Sequence, residues 1–147
     1  MRRYISIIGF FTFTGCASND NGPLTYQVDT RLTEYVTDFF ADCHKNLSAA
    51  LCSPPIDLKV RVSALPDNTL GRCTVYENRL RKIEIDETIL NQNKVRIVTY
   101  HELFHCVTNT PHYDNEMDIM NTYEYEENTR YMYDNWDYFV GKVFKRE

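Results

Sequence analysis

The strongest chemical signal in the chain is the run His101, Glu102, Leu103, Phe104 and His105. On a helix, side chains four apart lie one above the other on the same face, so both imidazoles can reach one ion. Zinc suits such a pair, because it accepts neutral imidazole nitrogens and imposes little geometry of its own. Glu102, one residue past the first histidine, would stand beside the metal's open position and take a proton from bound water without being a ligand. The alternative, two surface histidines, has to explain their setting among Val95, Ile97, Val98, Tyr100, Leu103, Phe104 and Val107. Burying unpaired imidazoles is costly, and a metal removes that cost. A catalytic site also needs a third protein ligand and a vacant fourth position. His112, just past Pro111 where the chain has left the helix, is the leading candidate, with Asp114 and Glu116 close enough to compete. His44, alone near the end of the first helix, reads as a surface or capping histidine.

These residues resemble the signature of the metzincin clan of zinc peptidases, His-Glu-x-x-His-x-x-Gly-x-x-His followed by a turn bearing a methionine. Here the order is His101, Glu102, His105, His112, then Asp118-Ile119-Met120, and the cysteine directly after the second histidine, Cys106, matches small metzincin-like lipoproteins of bacteria and their phages. The likeness spans residues 72–123. It implies an α+β zincin domain, a mixed sheet packed on a buried active-site helix, Zn2+ held by His101, His105 and His112, and Met120 in the turn beneath the metal. It also implies that the strand over residues 81–86 binds extended substrate along an open edge. The third histidine comes one residue later than in the clan pattern, and the helix-ending glycine is absent. Asn109 can take that place, since asparagine tolerates the left-handed conformation that ends such a helix.

The expected reaction is therefore hydrolysis of a peptide or protein substrate by Glu102-assisted attack of zinc-bound water. Tyr123 and Tyr113 each lie near enough in sequence to donate a hydrogen bond to an oxyanion. Met117 competes with Met120 for the turn. A gluzincin-type alternative takes its third ligand from Glu124, Glu126 or Glu127, which otherwise read as an acidic helix start. Outside enzymes, the alternatives are a lipid-anchored zinc-binding or interaction protein without catalysis, and a binding module with incidental histidines.

The elements that must position these groups can be read from periodicity. Asp29 or Thr30 caps a helix whose stripe is Leu32, Tyr35, Val36, Phe39, Phe40 and Cys43. Residues 56–62 alternate as a half-buried strand should. Residues 65–71 form a loop, and 72–76 with 81–86 form two strands joined by a turn, with Cys73, Val75, Ile83 and Ile85 on one side. A helix from about Asn91 or Asn93 to Asn109 is apolar on every side and so belongs in the middle of the domain. A last helix from about Glu127 places Met132, Trp136, Phe139, Val140 and Val143 on its core face.

The N-terminus reads as a leader. Arg2 and Arg3 precede an apolar stretch over residues 4–13, too short to span a bilayer but suited to a secretory signal. Phe13-Thr14-Gly15-Cys16 resembles a lipobox, so residues 1–16 are expected to be a lipoprotein signal ending at the lipidated Cys16, 17–28 a tether, and 29–147 a single domain. Ala17 after the cysteine points to the outer membrane of a bacterial envelope. The remaining cysteines, Cys43, Cys52, Cys73 and Cys106, form an even set in an oxidising compartment, with three pairings open. If the buried helix lies on the sheet, Cys73 can meet Cys106, leaving Cys43 to close a local loop with Cys52. The 147-residue chain is 43% apolar and 25% charged, as in a globular protein, with 11 Tyr and 8 Phe for an aromatic core or cleft. Its charge of −5, nearer −7 without Arg2 and Arg3, and the lack of a basic cluster exclude nucleic-acid binding. A monomer is expected.

Overall fold

A computed structural model of the chain describes residues 24–53, 56–114, 117–122 and 128–146. Residues 1–23, which include the expected leader and Cys16, lie outside the described residues.

The class is α+β, with five helices and a four-stranded mixed sheet among the described residues. Strand β1 (Tyr26–Val28) leads to a 3-10 turn, Thr30–Leu32, opened by Asp29, whose carboxylate accepts the Arg31 N–H at 3.0 Å. Helix α1 (Thr33–Asn46) follows, then the short α2 (Ala49–Cys52), β2 (Asp57–Ser63), β3 (Gly71–Val75) and β4 (Leu80–Asp86). Helix α3 (Val95–Leu103) crosses the middle, and α4 (Thr129–Asp134) and α5 (Trp136–Phe144) complete the chain. The C-terminal helix expected from the periodicity is thus two helices, broken at Asn135. Its five core positions are nevertheless all buried. No helix among the described residues is long and apolar enough to cross a membrane.

The strand order is β1-β2-β4-β3, with β1, β2 and β4 parallel and β3 antiparallel to β4. Two expectations change here. Residues 26–28, read as part of a tether, pair with residues 58–60 and belong to the sheet. β4, expected to offer an open edge, is paired on both sides, and the free edge next to α3 is β3. Asp86 N–H bonds to Leu70 C=O at 2.8 Å and Tyr76 N–H to Leu80 C=O at 3.2 Å. Antiparallel alternation then turns the peptide groups of Gly71, Cys73 and Val75 toward the free edge.

One face of the sheet carries Leu58, Val60, Cys73, Ile83 and Ile85 into the core, where α3 lies on it. Val75, on the same side at the strand's end, is 51% exposed, because the helices stop short of it. On the other face Glu84 is buried among Arg61 (2.5 Å), Arg72 (2.8 Å) and Lys82 (3.1 Å). Beyond α3 the aromatics form a core of their own. Phe39 of α1 meets Tyr100 and Phe104 edge-on at centroid distances of 5.4 and 5.1 Å, and Phe144 of α5 meets Phe104 at 4.8 Å. Of the three pairings open to the cysteines, the structure has Cys43–Cys52, closing the turn after α1, and Cys73–Cys106, fastening the edge strand to the end of the buried helix.

Candidate metal centre

Helix α3 is fixed from both sides. Val98, Thr99, Tyr100, His101, Glu102 and Leu103 are all buried, between the sheet on one side and α1 with α5 on the other. A continuous α-helix to Asn109 was expected, but its last turn, Phe104–Thr108, is π-helical. The cause is local. Thr108 Oγ1 bonds the Phe104 carbonyl at 2.9 Å, and the same carbonyl receives the N–H of Asn109 and that of Thr110, the latter at 3.1 Å. A hydroxyl bonded four residues back opens the turn, and wide turns of this kind are frequent at functional sites. Asn109 ends the helix in the left-handed conformation, φ 58°, as its residue type allows.

The histidines then converge. His101 Nδ1 donates to the Ile119 carbonyl at 2.7 Å, and His105 Nδ1 to the Thr110 carbonyl at 2.6 Å. A carbonyl only accepts, so each Nδ1 carries the proton and each Nε2 presents a bare lone pair. Those two Nε2 atoms stand 2.9 Å apart, and His112 Nε2 lies 3.1 Å from that of His101. One ligand atom from each histidine falls within 4.8 Å of the others, so the group could hold a metal ion. Burial, with His105 and His112 nearby, pushes the His101 pKa well below its ordinary value. Burial also brings His105 down to about 4, and lowers His112 while Asp114 pulls the other way. All three are therefore neutral at pH 7. Facing lone pairs at such a distance repel, and a cation between them turns the repulsion into coordination.

Glu102 is the second unsatisfied group. It is fully buried, neither carboxylate oxygen has a hydrogen-bond partner among the described residues, and burial raises its pKa to about 8. The Cys73 peptide N–H and the Arg72 charge act against that rise without closing a bond of ordinary geometry. The carboxylate reaches the edge strand because residue 71 is glycine. A Cβ there would meet Val98 Cγ1 at 2.7 Å, and Glu102 Cγ and Oε1 at 2.8 Å. Sequence reading left Gly71 in a loop. Its only signal was its place at the head of a strand next to the helix.

The third side of the site is a turn. Asp118 Oδ1 accepts the Met120 N–H at 2.9 Å and Asp118 C=O the Asn121 N–H at 3.2 Å, which aims the Ile119 carbonyl at His101. Met120 is fully buried, and its carbonyl accepts the Tyr113 N–H at 2.8 Å, joining the turn to the segment bearing His112. Met117 lies before the turn, partly buried against the core. Asp118 itself is held by Arg146 at 2.7 Å and Lys142 at 3.6 Å, from the C-terminal end of the chain. Sequence reading had Asp118 in the methionine turn but missed Thr110, Lys142 and Arg146, because carbonyls and distant cations leave no spacing signature. His44 is exposed and apart from the cluster, and Asp114 bonds the Thr122 N–H at 2.6 Å. Glu116, Tyr123, Glu124, Glu126 and Glu127 lie outside the described residues. Comparison of the chain with family models, with curated proteins and with solved structures finds no match.

Proposed function

We propose that the protein is a zinc-dependent endopeptidase of metzincin-like design. The observation that carries this reading is the convergence of three neutral imidazole nitrogens beside a buried carboxyl without a hydrogen-bond partner among the described residues. Three imidazoles, with no sulfur or carboxylate grouped with them among the described residues, suit zinc. A tetrahedral ion with bonds of ~2.0–2.1 Å sets its nitrogens roughly 3.3 Å apart, close to the 2.9 and 3.1 Å found between the Nε2 atoms. His101, His105 and His112 would hold the ion, which supplies Lewis acidity toward a carbonyl oxygen and toward water.

The remaining roles belong to the chain. Glu102 accepts the proton of the attacking water and passes it to the leaving amine. The peptide groups of Gly71, Cys73 and Val75 offer an extended substrate a strand to pair with, next to Glu102. The Asp118–Met120 turn fits the metzincin likeness, as does His112 within the ligand group. The same reading keeps the leader: export, a lipid on Cys16, and attachment to a bacterial outer membrane with the domain working as a monomer.

The test is zinc-replete protein against a broad peptide library, with Glu102→Ala alongside. The variant should retain zinc at the wild-type ratio and lose hydrolysis by ~10²–10⁴-fold. Wild-type protein that binds zinc and cleaves nothing leaves a metal-binding protein without catalysis, and an equally active variant removes Glu102 from the mechanism.

A further inference from the structure

His112 has no helix to hold it, and the turn that orients His101 is itself irregular chain. Both are tied to one side chain. Arg146 Nη2 donates to Asp118 Oδ2 at 2.7 Å, while its guanidinium lies over the Tyr113 ring, 4.3 Å from the centroid. Asp118 builds the turn whose Ile119 carbonyl receives the His101 Nδ1 proton, and Tyr113 directly follows His112 and bonds the same turn through Met120. Arg146 therefore presses together the two loop segments that complete the metal centre. Its own position comes from α5, whose Val143 and Phe144 are buried in the aromatic core. The Asp118 side chain is wholly buried, so its charge needs partners; Lys142 pairs with it at 3.6 Å, and Arg146 adds the hydrogen bond at 2.7 Å.

We propose that Arg146 is a positioning residue of the metal centre, a strap from the C-terminal helix that sets His112 against His101 by gripping Asp118 and Tyr113 at once. The strap acts on ligand placement, and so on metal affinity, before any chemistry. It rests on the metal-binding reading and does not require that the protein be a peptidase.

The experiment measures Zn2+ affinity by chelator competition and the visible spectrum of Co2+-substituted full-length protein, for wild type, Arg146→Met and Arg146→Lys. Methionine keeps the packing volume and loses the charge; lysine keeps the charge and loses the planar fork. Arg146→Met should bind Zn2+ about 10–100-fold more weakly, the range for residues that orient ligands from outside the coordination shell. Its Co2+ bands should lose intensity or shift as His112 leaves its place, and Arg146→Lys should recover most of the affinity. Tyr113→Leu, which leaves every charge in place, should weaken binding several-fold, and stands in if Arg146→Met does not fold. Wild-type affinity and an unchanged Co2+ spectrum in Arg146→Met overturn the proposal, as does a lysine variant no better than methionine. Wild-type protein that takes up no metal overturns the centre itself, and the strap with it.

Discussion

His101 and His105 project from a helix walled in by sheet and aromatic core, whereas His112 sits on chain with no repeating backbone bonds. The helical half is placed by burial: once α3 packs, both imidazoles can point only one way, and two carbonyls set their tautomers. The irregular half is placed by a few specific bonds, among them Tyr113 to Met120, Asp114 to Thr122 and Arg146 to Asp118. A rigid half supplies position, and a half that can shift can admit a ligand without unpacking the core.

Ligand removal exposes this difference most strongly. His105→Ala leaves the helix intact and takes one of two rigid donors, so stoichiometric zinc binding should vanish. His112→Ala should weaken binding by more than the ~100-fold that outer residues reach, yet leave a measurable two-histidine site. Equilibrium dialysis against Zn2+ checks both, and equal residual affinity in the two variants would collapse the distinction between the halves.

The disulfides sharpen the comparison, because only the helical half is fastened by one. Cys73–Cys106 closes a separation of 33 residues and Cys43–Cys52 one of 9. The chain-entropy relation puts their contributions at ~3.7 and ~2.6 kcal/mol. Replacing Cys73 and Cys106 by serine should therefore cost about 1 kcal/mol more in urea denaturation than replacing Cys43 and Cys52. It should also lower metal affinity, since it frees the strand beside Glu102, while the other pair should leave affinity alone.

Stability against pH separates the groups further, provided metal is removed with a chelator. His101 and His105 have folded pKa values below those of the unfolded chain, so their contribution is complete above about pH 6.5 and lost as pH falls, that of His105 toward about 4. Glu102 runs the other way. Its neutral form is favoured in the fold, so its contribution is complete below 4.5 and lost as pH rises toward about 8. The limbs overlap between pH 4.5 and 6.5, where the two histidines outweigh Glu102, so the metal-free protein should be most stable near pH 6.5, with slopes of up to ~1.4 kcal/mol per pH unit for each group. Below pH 4.5 Glu84, which, against its own burial, Arg61, Arg72 and Lys82 hold down to about 2, adds to the fall. Urea melts from pH 4 to 9 test this, and Glu102→Gln should abolish the alkaline limb alone.

The two halves were also unequally legible in the sequence. The helical half follows from local rules: apolar residues on every side of 95–107 mark a buried helix, and histidines four apart mark one face. The hairpin, the α+β class and the disulfide pairing followed from strand alternation and from placing that helix on the sheet. What was missed depends on contacts distant in sequence. The break at Asn135 divides a stripe whose periodicity runs on unbroken through Met132, Trp136 and Phe139. Residues 26–28 became a strand only because β2 left an edge for them, and β4 became central because β3 turned back outside it. Gly71 and Arg146 act by fitting against residues 31 and 28 positions away.

Asn109 is the joint between the halves, and it carries the smallest of the expected effects. Its φ of 58° turns the chain out of α3 toward Thr110, whose carbonyl holds His105, and on to His112. The π-helical turn ends at Thr108, and Asn109 then reverses the chain. A side chain in the left-handed region costs ~1–2 kcal/mol, less for asparagine and nothing for glycine. Asn109→Ala should therefore destabilise by ~1 kcal/mol, and Asn109→Gly should be neutral within a few tenths. Because the strain falls on the joint, alanine should also weaken zinc binding a few-fold while glycine leaves it unchanged. Thermal melts of the metal-free and zinc-loaded forms of both variants read the two effects separately. If alanine shifts both forms equally, the joint bears on the fold alone and the helical half places its ligands without help from the chain that follows it.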